Sequence, residues 1–263
     1  MRPIERLFER EGLPRFGLPA ALAAMYGGDF GLDRPELYAN FVSSLDGVVA
    51  LAGSEESGHL ISGGSEPDQF IMGLLRASAD AVLVGAGTFR RARGDLWLPE
   101  TIYPAAADLF AELRRQLGLR PHPLLVIVTP SAHIDPTEPA LRDCLVITTP
   151  QGEARLRGTL PAGARIAVLE SQHLEGRSLL DLLHTHDLQV VLTEGGPSLL
   201  GQFLEEGLID ELFLTTSPRL FGRRSGDERK SLVDGVDLGG LSLSLASVRR
   251  QESQLFLRYS RER

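Results

Sequence analysis

Short apolar runs alternate with amphipathic segments along the middle of this 263-residue chain. The apolar runs have the length of buried strands, and the segments between them repeat apolar residues with the period of a helix. Because strands that alternate with helices form parallel sheets covered on both faces, we predict an α/β fold. The apolar runs lie at 124–128, 144–147, 166–169 and 190–192, and the amphipathic segments lie at 106–116, 178–184 and 198–206.

The two ends of the chain depart from this alternation. Residues 1–35 are rich in Pro, Gly and Arg and have no long period, so we interpret them as an N-terminal extension that packs on one domain of residues 36–263. Near the other end, strand-like runs at 211–216, 241–248 and 254–259 follow one another with no helix between them. We therefore expect a mostly parallel mixed sheet with antiparallel C-terminal strands.

A strand and a helix are predicted in the first third of the chain. The strand covers residues 37–43 and ends in an SSLDG turn, in which Asp46 is expected to bond to the backbone. A proton-donating role for Asp46 is the alternative interpretation. The helix begins after Ser65, a residue type that caps helices, and both Pro67 and Asp68 suit its first turn.

Composition excludes several classes of function. The formal net charge is −8 and there is no basic tract, which argues against a nucleic-acid partner. No apolar run approaches the roughly 18 residues that cross a bilayer, so no membrane partner is predicted. Cys144 is the one cysteine, which leaves no intrachain disulfide and fits a cytoplasmic location. Lys230 is the one lysine, and its context fits neither a P-loop nor a pyridoxal enzyme.

Metal and nucleophile chemistry find no support in the sequence. The six histidines lack an H-E-x-x-H context and no cysteine pair accompanies them, so we predict no metal site. Cys144 lies in an apolar run, where a cysteine acts as a small hydrophobic residue. The G-x-S-x-G elbow of serine hydrolases is absent.

Two glycine-bearing turns remain as candidates for ligand binding. VLVGAGT covers residues 82–88 and VLTEGGPS covers residues 191–198, and in both the glycines directly follow a predicted strand. In open α/β sheets, ligands bind at the carboxyl ends of the strands, where glycine and a helix N-terminus suit a phosphate. Glycine also serves simply to turn the chain, and the strict G-x-G-x-x-G motif is absent. On the residues alone, dinucleotide binding and plain turns are equally open.

Three segments carry a resemblance to a known family: NFVSSLDG, LLRASADAVLVGAGTFR and LTEGGPSLLGQFLEEGLIDELFLTTSPRLFG. Together they resemble the C-terminal reductase domain of the bifunctional riboflavin-biosynthesis deaminase/reductase, over about residues 37–260. Asn40, ahead of the SSLDG turn, is typical of the stand-alone pyrimidine reductase branch. The resemblance implies a three-layer, dihydrofolate-reductase-like fold, NADPH binding, hydride transfer to a pterin-like or pyrimidine-like compound, and a homodimer.

The resemblance also implies which residues bind the cofactor. The second glycine turn and the start of the next helix would hold the diphosphate of NADPH, and Arg90 or Arg91 would pair with its 2′-phosphate. Solvated surface charge is the alternative interpretation of these two arginines. The resemblance carries over Ser43, Thr88, Gly196, Pro197, Ser198, Leu199 and Leu200, while the glycine turns themselves add Gly85, Gly87 and Gly195, and Arg90 follows the first turn.

The substrate residues that the resemblance implies are Asn40, Arg76 and Glu194. Glu194 would accept hydrogen bonds from ring N–H or amino groups of the substrate, and Asn40 and Glu194 join Asp46 as the candidate catalytic residues. Arg76 would contact the substrate, unless it is a surface charge on its helix. No acid is evident in the sequence, so we expect the product to take its proton from water.

Three departures from the family pattern indicate a different substrate pocket. Asn40 replaces a lysine, Ala92 replaces an aspartate, and Pro99 lies near the position of an arginine. Two alternatives to our prediction therefore stay open: a reductase of the riboflavin-pathway pyrimidine that uses substitute contacts, and a nucleotide-binding relative without catalysis. The residues that would supply the substitute contacts are Arg91, Arg93 and Asp95.

Overall fold

The computed structural model describes residues 1–51, 57–171, 174–223 and 229–261. The strands are β1 (Glu5–Glu9), β2 (Glu36–Ser43), β3 (Ala81–Gly85), β4 (Leu124–Val128), β5 (Cys144–Thr148), β6 (Ala164–Val168), β7 (Val190–Thr193), β8 (Glu211–Thr216), β9 (Leu243–Gln251) and β10 (Gln254–Arg261). The α-helices are α1 (Ala20–Tyr26), α2 (Ser57–Ser62), α3 (Glu66–Ser78), α4 (Ala86–Arg91), α5 (Pro99–Ile102), α6 (Ala107–Gln116), α7 (Pro150–Leu156), α8 (Gly176–Thr185) and α9 (Pro197–Glu205).

The strands of the described ranges form one mixed sheet in the order β1-β9-β10-β8-β2-β7-β3-β4-β5-β6. Every pair from β8 and β2 through to β6 is parallel. The pairs from β8 through β10 and β9 to β1 are antiparallel. The predicted mostly parallel sheet with antiparallel C-terminal strands is therefore confirmed.

Alternate side chains of the central strands enter two separate hydrophobic clusters, because successive residues of a strand point to opposite faces. On β3, Val82 and Val84 join the cluster that includes Phe70 of α3. Ala81 and Leu83 join the cluster that includes Phe203 of α9. The sheet therefore has a helical layer on each face, which is the three-layer arrangement that the resemblance implies.

Helix α3 is fixed at both ends. The hydroxyl of Ser65 accepts a hydrogen bond from the backbone N–H of Asp68 at 3.3 Å, so the predicted helix start is confirmed. At the other end, Nη1 of buried Arg114 on α6 donates to the carbonyl oxygens of Arg76, Ala77 and Ala79. These bonds satisfy carbonyl groups that a helix C-terminus leaves unpaired, and they hold α3 in place against the sheet.

Residues 1–35, which the sequence separates as an extension, contribute to the same sheet and core. Strand β1 pairs antiparallel with β9 at the edge of the sheet. Leu22, Tyr26 and Phe30 are buried in the core cluster beside α3. The domain boundary itself stays a prediction. No helix in the described part of the chain is long and apolar enough to span a bilayer.

Candidate functional site

The two glycine turns lie side by side at the carboxyl edge of the parallel strands. Strand β7 pairs with β3, with Thr193 opposite Leu83, and the N–H of Glu194 donates to the carbonyl of Leu83 at 3.1 Å. A Cβ atom added at Gly196 would lie 3.2 Å from Oγ1 of Thr88, which belongs to the other turn. The two predicted turns therefore form one surface, and Gly196 lets them approach closely.

The start of α9 fits a phosphate group. Gly196 is the N-cap residue, no side chain caps the helix, and its first turn contains no acidic residue. A Cβ at Gly195 would lie 2.6 Å from Cδ2 of Leu199, so a larger residue would fill the turn. The N-terminus of a helix attracts anions through its partial positive charge, and glycine lets an anion approach the backbone.

The first glycine turn is less constrained. A Cβ at Gly85 or Gly87 would come no closer than 3.9 Å and 3.7 Å, respectively, to another heavy atom. Helix α4 begins directly after β3, with Gly85 as its N-cap residue. Space alone therefore does not require glycine at either position, in contrast to Gly195.

The predicted diphosphate segment also contacts a charged pair. The hydroxyl of Ser198 donates to Oδ2 of Asp234 at 3.1 Å, and Nζ of Lys230 lies 2.7 Å from the same oxygen. The N–H groups of Leu199 and Leu200 both donate to the carbonyl of Gly196, so they form the first turn of the helix. The one lysine of the chain thus lies beside the predicted phosphate position.

A cavity of about 560 Å³ opens next to this surface. Asn40, within β2, follows Ala39, the sheet partner of Thr193, so Asn40 lies beside Glu194, the residue that follows the end of β7. The polar and charged residues that line the cavity are Asn40, Ser57, His59, Ser62, Asp68, Gln69, Arg76, Thr88, Arg91, Arg93, Asp95 and Glu194. All three substrate residues implied by the sequence therefore meet at one place, together with Thr88, Gly195, Gly196 and Pro197.

Arg76 and Glu194 form a two-pronged ion pair inside this cavity wall. Nε of Arg76 donates to Oε1 of Glu194 at 3.1 Å and Nη2 donates to Oε2 at 2.8 Å. The side chain of Arg76 is 1% exposed, so its interpretation as a surface charge is wrong. Burial lowers the pKa of Arg76, but the charges of Glu194 and Asp95 more than compensate and keep the guanidinium protonated.

Asp95 and Trp97 complete the surroundings of Arg76. Oδ2 of Asp95 lies 3.2 Å from Nη2 of Arg76, and the Trp97 ring centroid lies 5.2 Å from its Cζ. Trp97 has a left-handed backbone, with φ at 60°, which is strained for a bulky side chain, and its backbone N–H donates to Oδ1 of Asp95 at 2.7 Å. The guanidinium is thus held between two carboxylates and an indole ring.

Eight sequence-predicted site residues lie outside the lining of this cavity: Ser43, Asp46, Gly85, Gly87, Arg90, Ser198, Leu199 and Leu200. Asp46 accepts hydrogen bonds from the Ser44 hydroxyl and from the N–H groups of Phe221 and Gly222. These bonds, that from Ser44 first, lower the pKa of Asp46, which favours its turn-shaping role over proton donation. Ser43 is buried at the end of β2. Arg90 is exposed and donates to the carbonyl of His133 at 2.8 Å.

Asp68 lines the cavity, although the sequence singles it out only as a helix-start residue. Asp68, Met72 and Arg76 are spaced four residues apart on α3, so they share one face of the helix, and all three line the cavity. This spacing is the feature of the sequence that indicates Asp68 as a cavity residue. It is easily overlooked, because Asp68 lies in the first helical turn, where an acid is expected for capping.

A larger cleft, of about 1150 Å³, lies at the amino ends of the parallel strands, beside the first residues of β2 and β8. Ligands of open α/β sheets bind at the carboxyl ends of strands, so we assign the site to the smaller cavity. The described residues contain no group of three His, Cys, Asp or Glu side chains placed to hold a metal ion. His173, one of the six histidines, lies outside the described residues.

Comparisons with curated proteins identify reductases. The chain is 29% identical over 206 residues to a 2,5-diamino-6-ribosylamino-4(3H)-pyrimidinone 5′-phosphate reductase of Archaeoglobus fulgidus, covering 77% of this chain and 87% of that protein. It is 27% identical to the riboflavin biosynthesis protein RibD of Aquifex aeolicus, covering 80% of this chain and 51% of that protein.

Solved structures and a family model agree with these matches. A pyrimidine reductase-like protein from Corynebacterium diphtheriae superposes with a TM-score of 0.70 at 26% identity, covering 94% of this chain and 96% of that chain. RibD of Acinetobacter baumannii shares the fold, with a TM-score of 0.67 at 22% identity over 92% of this chain and 60% of that chain. The model of the RibD C-terminal domain matches residues 35–257, which is most of the sequence. The resemblance carried by the three sequence segments is thereby confirmed, and the chain belongs to the RibD C-terminal domain family.

Proposed function

We propose that this protein is an NADPH-dependent reductase that transfers a hydride to a C=N or C=O bond of a pyrimidine-like compound. The observation that carries the proposal is the cavity in which Asn40 and the Arg76–Glu194 pair meet the second glycine turn. The names of the curated relatives support a pyrimidine substrate. NADPH supplies the hydride when it is bound, and the protein orients the two reactants.

The cofactor residues follow from the shape of the two turns. Gly195, Gly196 and the start of α9 would hold the diphosphate of NADPH, with Thr88 beside them and Lys230 as a nearby positive charge. A choice of NADPH over NADH would come from an arginine at the 2′-phosphate, since a guanidinium matches phosphate geometry. Arg91 lines the cavity, so we place this contact on Arg91 together with Arg90.

Glu194 would anchor the ring of the substrate. Each of its oxygens accepts one hydrogen bond from Arg76, and a carboxylate oxygen has two lone pairs, which leaves capacity for N–H groups of a ligand. Asn40, one strand away, would offer its amide to the same ring. Arg76, which lines the same cavity, then acts as a positioning residue, because its guanidinium holds Glu194 and Asp95 in place.

A phosphorylated ribosylaminopyrimidine is the second candidate substrate. Arg91 and Arg93 are both exposed residues that line the cavity, where they would meet a phosphate group. The Archaeoglobus relative is named for a substrate of this kind. If the enzyme converts this compound, the more specific function is established. A reductase with another pyrimidine substrate would leave this compound unconverted.

We also propose that the protein acts in the cytoplasm as a homodimer. The outer strand β1 exposes Leu7 and Phe8, which are 49% and 45% exposed, on an edge whose backbone groups invite pairing. The single cysteine fits a reducing compartment. Sedimentation at micromolar concentration tests the dimer directly.

Calorimetric titration with NADPH and with NADH, followed by a turnover assay with the ribosylaminopyrimidinone phosphate, tests the proposed function. We expect micromolar binding with a preference for NADPH, and oxidation of the cofactor only when substrate is present. Binding without oxidation by any heterocycle would favour a nucleotide-binding relative that lacks catalysis. Failure to bind either cofactor would remove the reductase proposal.

A further inference from the structure

The wall of the cavity contains an acid that the assigned roles do not use. Asp68 lies in the first turn of α3, and only 7% of its surface is exposed to solvent. It shares the cavity wall with Asn40, Arg76 and Glu194. A carboxyl group in this position is expensive to bury in charged form unless a partner or a ligand compensates.

The partners of Asp68 differ from those of the other two carboxyl groups in the wall. Glu194 and Asp95 both pair with Arg76. The side chain of Thr215 on β8 acts on Asp68 as a hydrogen-bond donor that lowers its pKa. Among the cavity-lining residues that the structure describes, Asp68 is the one carboxyl group with no cation within ion-pair distance. It is therefore the carboxyl group that can gain and lose a proton without breaking an ion pair.

The electrostatic surroundings of Asp68 favour its protonated form. Burial raises the pKa of Asp68 to about 6, the Thr215 hydrogen bond opposes this rise, and the charge of Glu194 adds to it. The other charged or titratable residues in the cavity wall are His59 of α2, Arg76 on the same helix, Arg91 of α4, and Arg93 and Asp95 in the following loop. An acid that titrates near the working pH transfers protons efficiently.

We propose that Asp68 is the proton donor of the reduction and that it acts on the nitrogen of a substrate C=N bond. The carbon of that bond receives a hydride from the reduced nicotinamide, the π-electron pair moves to the nitrogen, and the nitrogen takes the proton of Asp68. The substrate is reduced to an amine, the cofactor is oxidised, and solvent returns a proton to the carboxylate. This inference rests on the proposed reductase function, and it replaces the expectation that water is the direct donor.

The test compares the wild-type enzyme with Asp68→Asn and with a matched control, Asp108→Asn, which changes an exposed aspartate of α6. We expect Asp68→Asn to lower kcat by about 100-fold, as is typical when a general acid is lost, with NADPH affinity within twofold of wild type. Wild-type kcat should fall as the pH rises through about 6, and Asp68→Asn should lack this step. Asp108→Asn should match the wild type in rate and pH profile.

Thr215→Val provides a second variant that keeps the carboxyl group. The Thr215 hydrogen bond lowers the pKa of Asp68, so its loss should move the step in kcat to higher pH while the plateau at low pH is retained. An infrared titration adds a readout that needs no turnover. Glu36 keeps its proton up to about pH 8 and gives a constant band in all three proteins below that pH. A second band of a protonated carboxyl group should disappear near pH 6 in wild type, disappear at higher pH in Thr215→Val, and be missing in Asp68→Asn.

The outcomes separate this inference from the proposed function. If the wild-type enzyme turns over and Asp68→Asn is equally fast, or has the same pH step, the role of Asp68 is overturned and the reductase function stands. If the wild-type enzyme oxidises NADPH with none of the heterocycles tested, both proposals fall. If Asp68→Asn does not fold, the shift of the pH step in Thr215→Val decides, and an unshifted step overturns the inference.

Discussion

Two buried arginine–glutamate pairs in this molecule have nearly the same geometry. In one, Nε and Nη2 of Arg76 lie 3.1 and 2.8 Å from the two carboxylate oxygens of Glu194. In the other, Nε and Nη2 of Arg258 lie 2.8 and 2.7 Å from those of Glu211. All four side chains are less than one-tenth exposed. Pair geometry alone therefore does not tell which pair belongs to a functional site.

The surroundings of the two pairs make the difference. The Cζ atom of Arg258 lies 5.4 Å from the ring centroid of Phe30 and 5.3 Å from that of Phe213, and Nη2 donates to the carbonyl of Gly31. That guanidinium joins β10, β8 and the N-terminal segment inside the core. Arg76 also lies near an aromatic ring, but its glutamate faces a cavity with two glycine turns at its rim.

The two pairs also lie at opposite ends of the parallel strands. Glu211 is the first residue of β8, whereas Glu194 directly follows the last residue of β7. In parallel sheets the carboxyl ends carry the ligand-binding loops, so position in the sheet assigns function where geometry does not. The cleft near Glu211 is larger than the cavity at Glu194, so cavity size alone would select the opposite ends of the strands from those that we assign.

Breaking the core pair should have the largest effect. Arg258→Met leaves the carboxylate of Glu211 buried without its cation and removes the contacts with two aromatic rings. We expect the free energy of unfolding to fall by about 3–5 kcal/mol, measured by urea denaturation. Because Glu211 lies far from the carboxyl edge, NADPH affinity of the folded fraction should not change.

A surface pair on the neighbouring strand provides the control for this change. Nη2 of Arg250 lies 2.6 Å from Glu5, but both side chains are about half exposed. Arg250→Gln should cost no more than about 1 kcal/mol, because water and salt screen exposed pairs. Equal losses in Arg250→Gln and Arg258→Met would show that burial does not distinguish the pairs.

Changing the cavity pair should affect turnover more than cofactor binding. Glu194→Gln keeps the shape of the side chain but removes the charge that faces Arg76 and the proposed substrate ring. We expect turnover to fall by about one to two orders of magnitude, the cost of losing a charged hydrogen-bond partner, with NADPH affinity within about twofold. Steady-state kinetics and calorimetry measure the two quantities separately.

The matched control for this change is Glu153→Gln, which removes the same charge from an exposed pair with Arg157 on α7. Its turnover should equal that of the wild type. A Glu194→Gln variant that loses turnover and NADPH affinity in equal measure would place Glu194 at the cofactor, and our assignment of Glu194 to the substrate would then be wrong.

Local sequence signals predicted much of the fold. The apolar runs that became β4 and β8 were placed with the correct bounds, because turn residues interrupt the pattern on both sides. Ser65 marked the start of α3 through its capping chemistry. The sequence does not indicate strand β1, because its residues, ERLFE, lie almost wholly exposed at the sheet edge and show no apolar alternation. It does not indicate helix α4 either, because Gly85 and Gly87 favour a turn.

The site was harder to predict, because its contacts join distant parts of the chain. Arg76 and Glu194 are separated by 118 positions, and no local pattern indicates that one neutralises the other. The family resemblance implies that both contact the substrate, and it gives no sign of the ion pairs that Arg76 forms with Glu194 and Asp95. Asp68 was masked in a similar way, since its role in starting a helix accounts for its presence without reference to the cavity.

Glu36 lies near Glu211 of the core pair and makes the stability of this region depend on pH. Its pKa is raised from 4.5 to about 8 by burial first, and then by the charges of Glu211, Asp210 and Asp33. Between these two pH values the folded state holds a proton that the unfolded state has lost. The contribution of Glu36 is therefore fully present below about pH 4.5 and is lost as the pH rises through about 8.

Glu36→Gln should remove this dependence, because the amide does not titrate. The quantity to compare is the free energy of unfolding of the variant minus that of the wild type. We expect this difference to be larger at pH 9 than at pH 4 by about 2 kcal/mol, after allowing for solvent in the cleft. Urea denaturation at the two pH values measures the difference. A constant difference between variant and wild type would show that Glu36 titrates normally.

The smallest effect, and the most local, should come from Gly196. In Gly196→Val, the new Cβ would lie 3.2 Å from Oγ1 of Thr88, and the branched side chain would occupy the space proposed for the diphosphate. We expect NADPH affinity to fall by about tenfold or more, equivalent to about 1.4 kcal/mol, with little change in stability.

The control is Gly87→Ala, in which the nearest atom to the added Cβ is Nη2 of Arg91 at 3.7 Å. If calorimetry finds equal losses of affinity in both variants, the first turn is as closely packed against the cofactor as the second, and the difference we infer between them is wrong. If neither variant loses affinity, the diphosphate lies elsewhere, and Glu194 would have to be explained without a cofactor beside it.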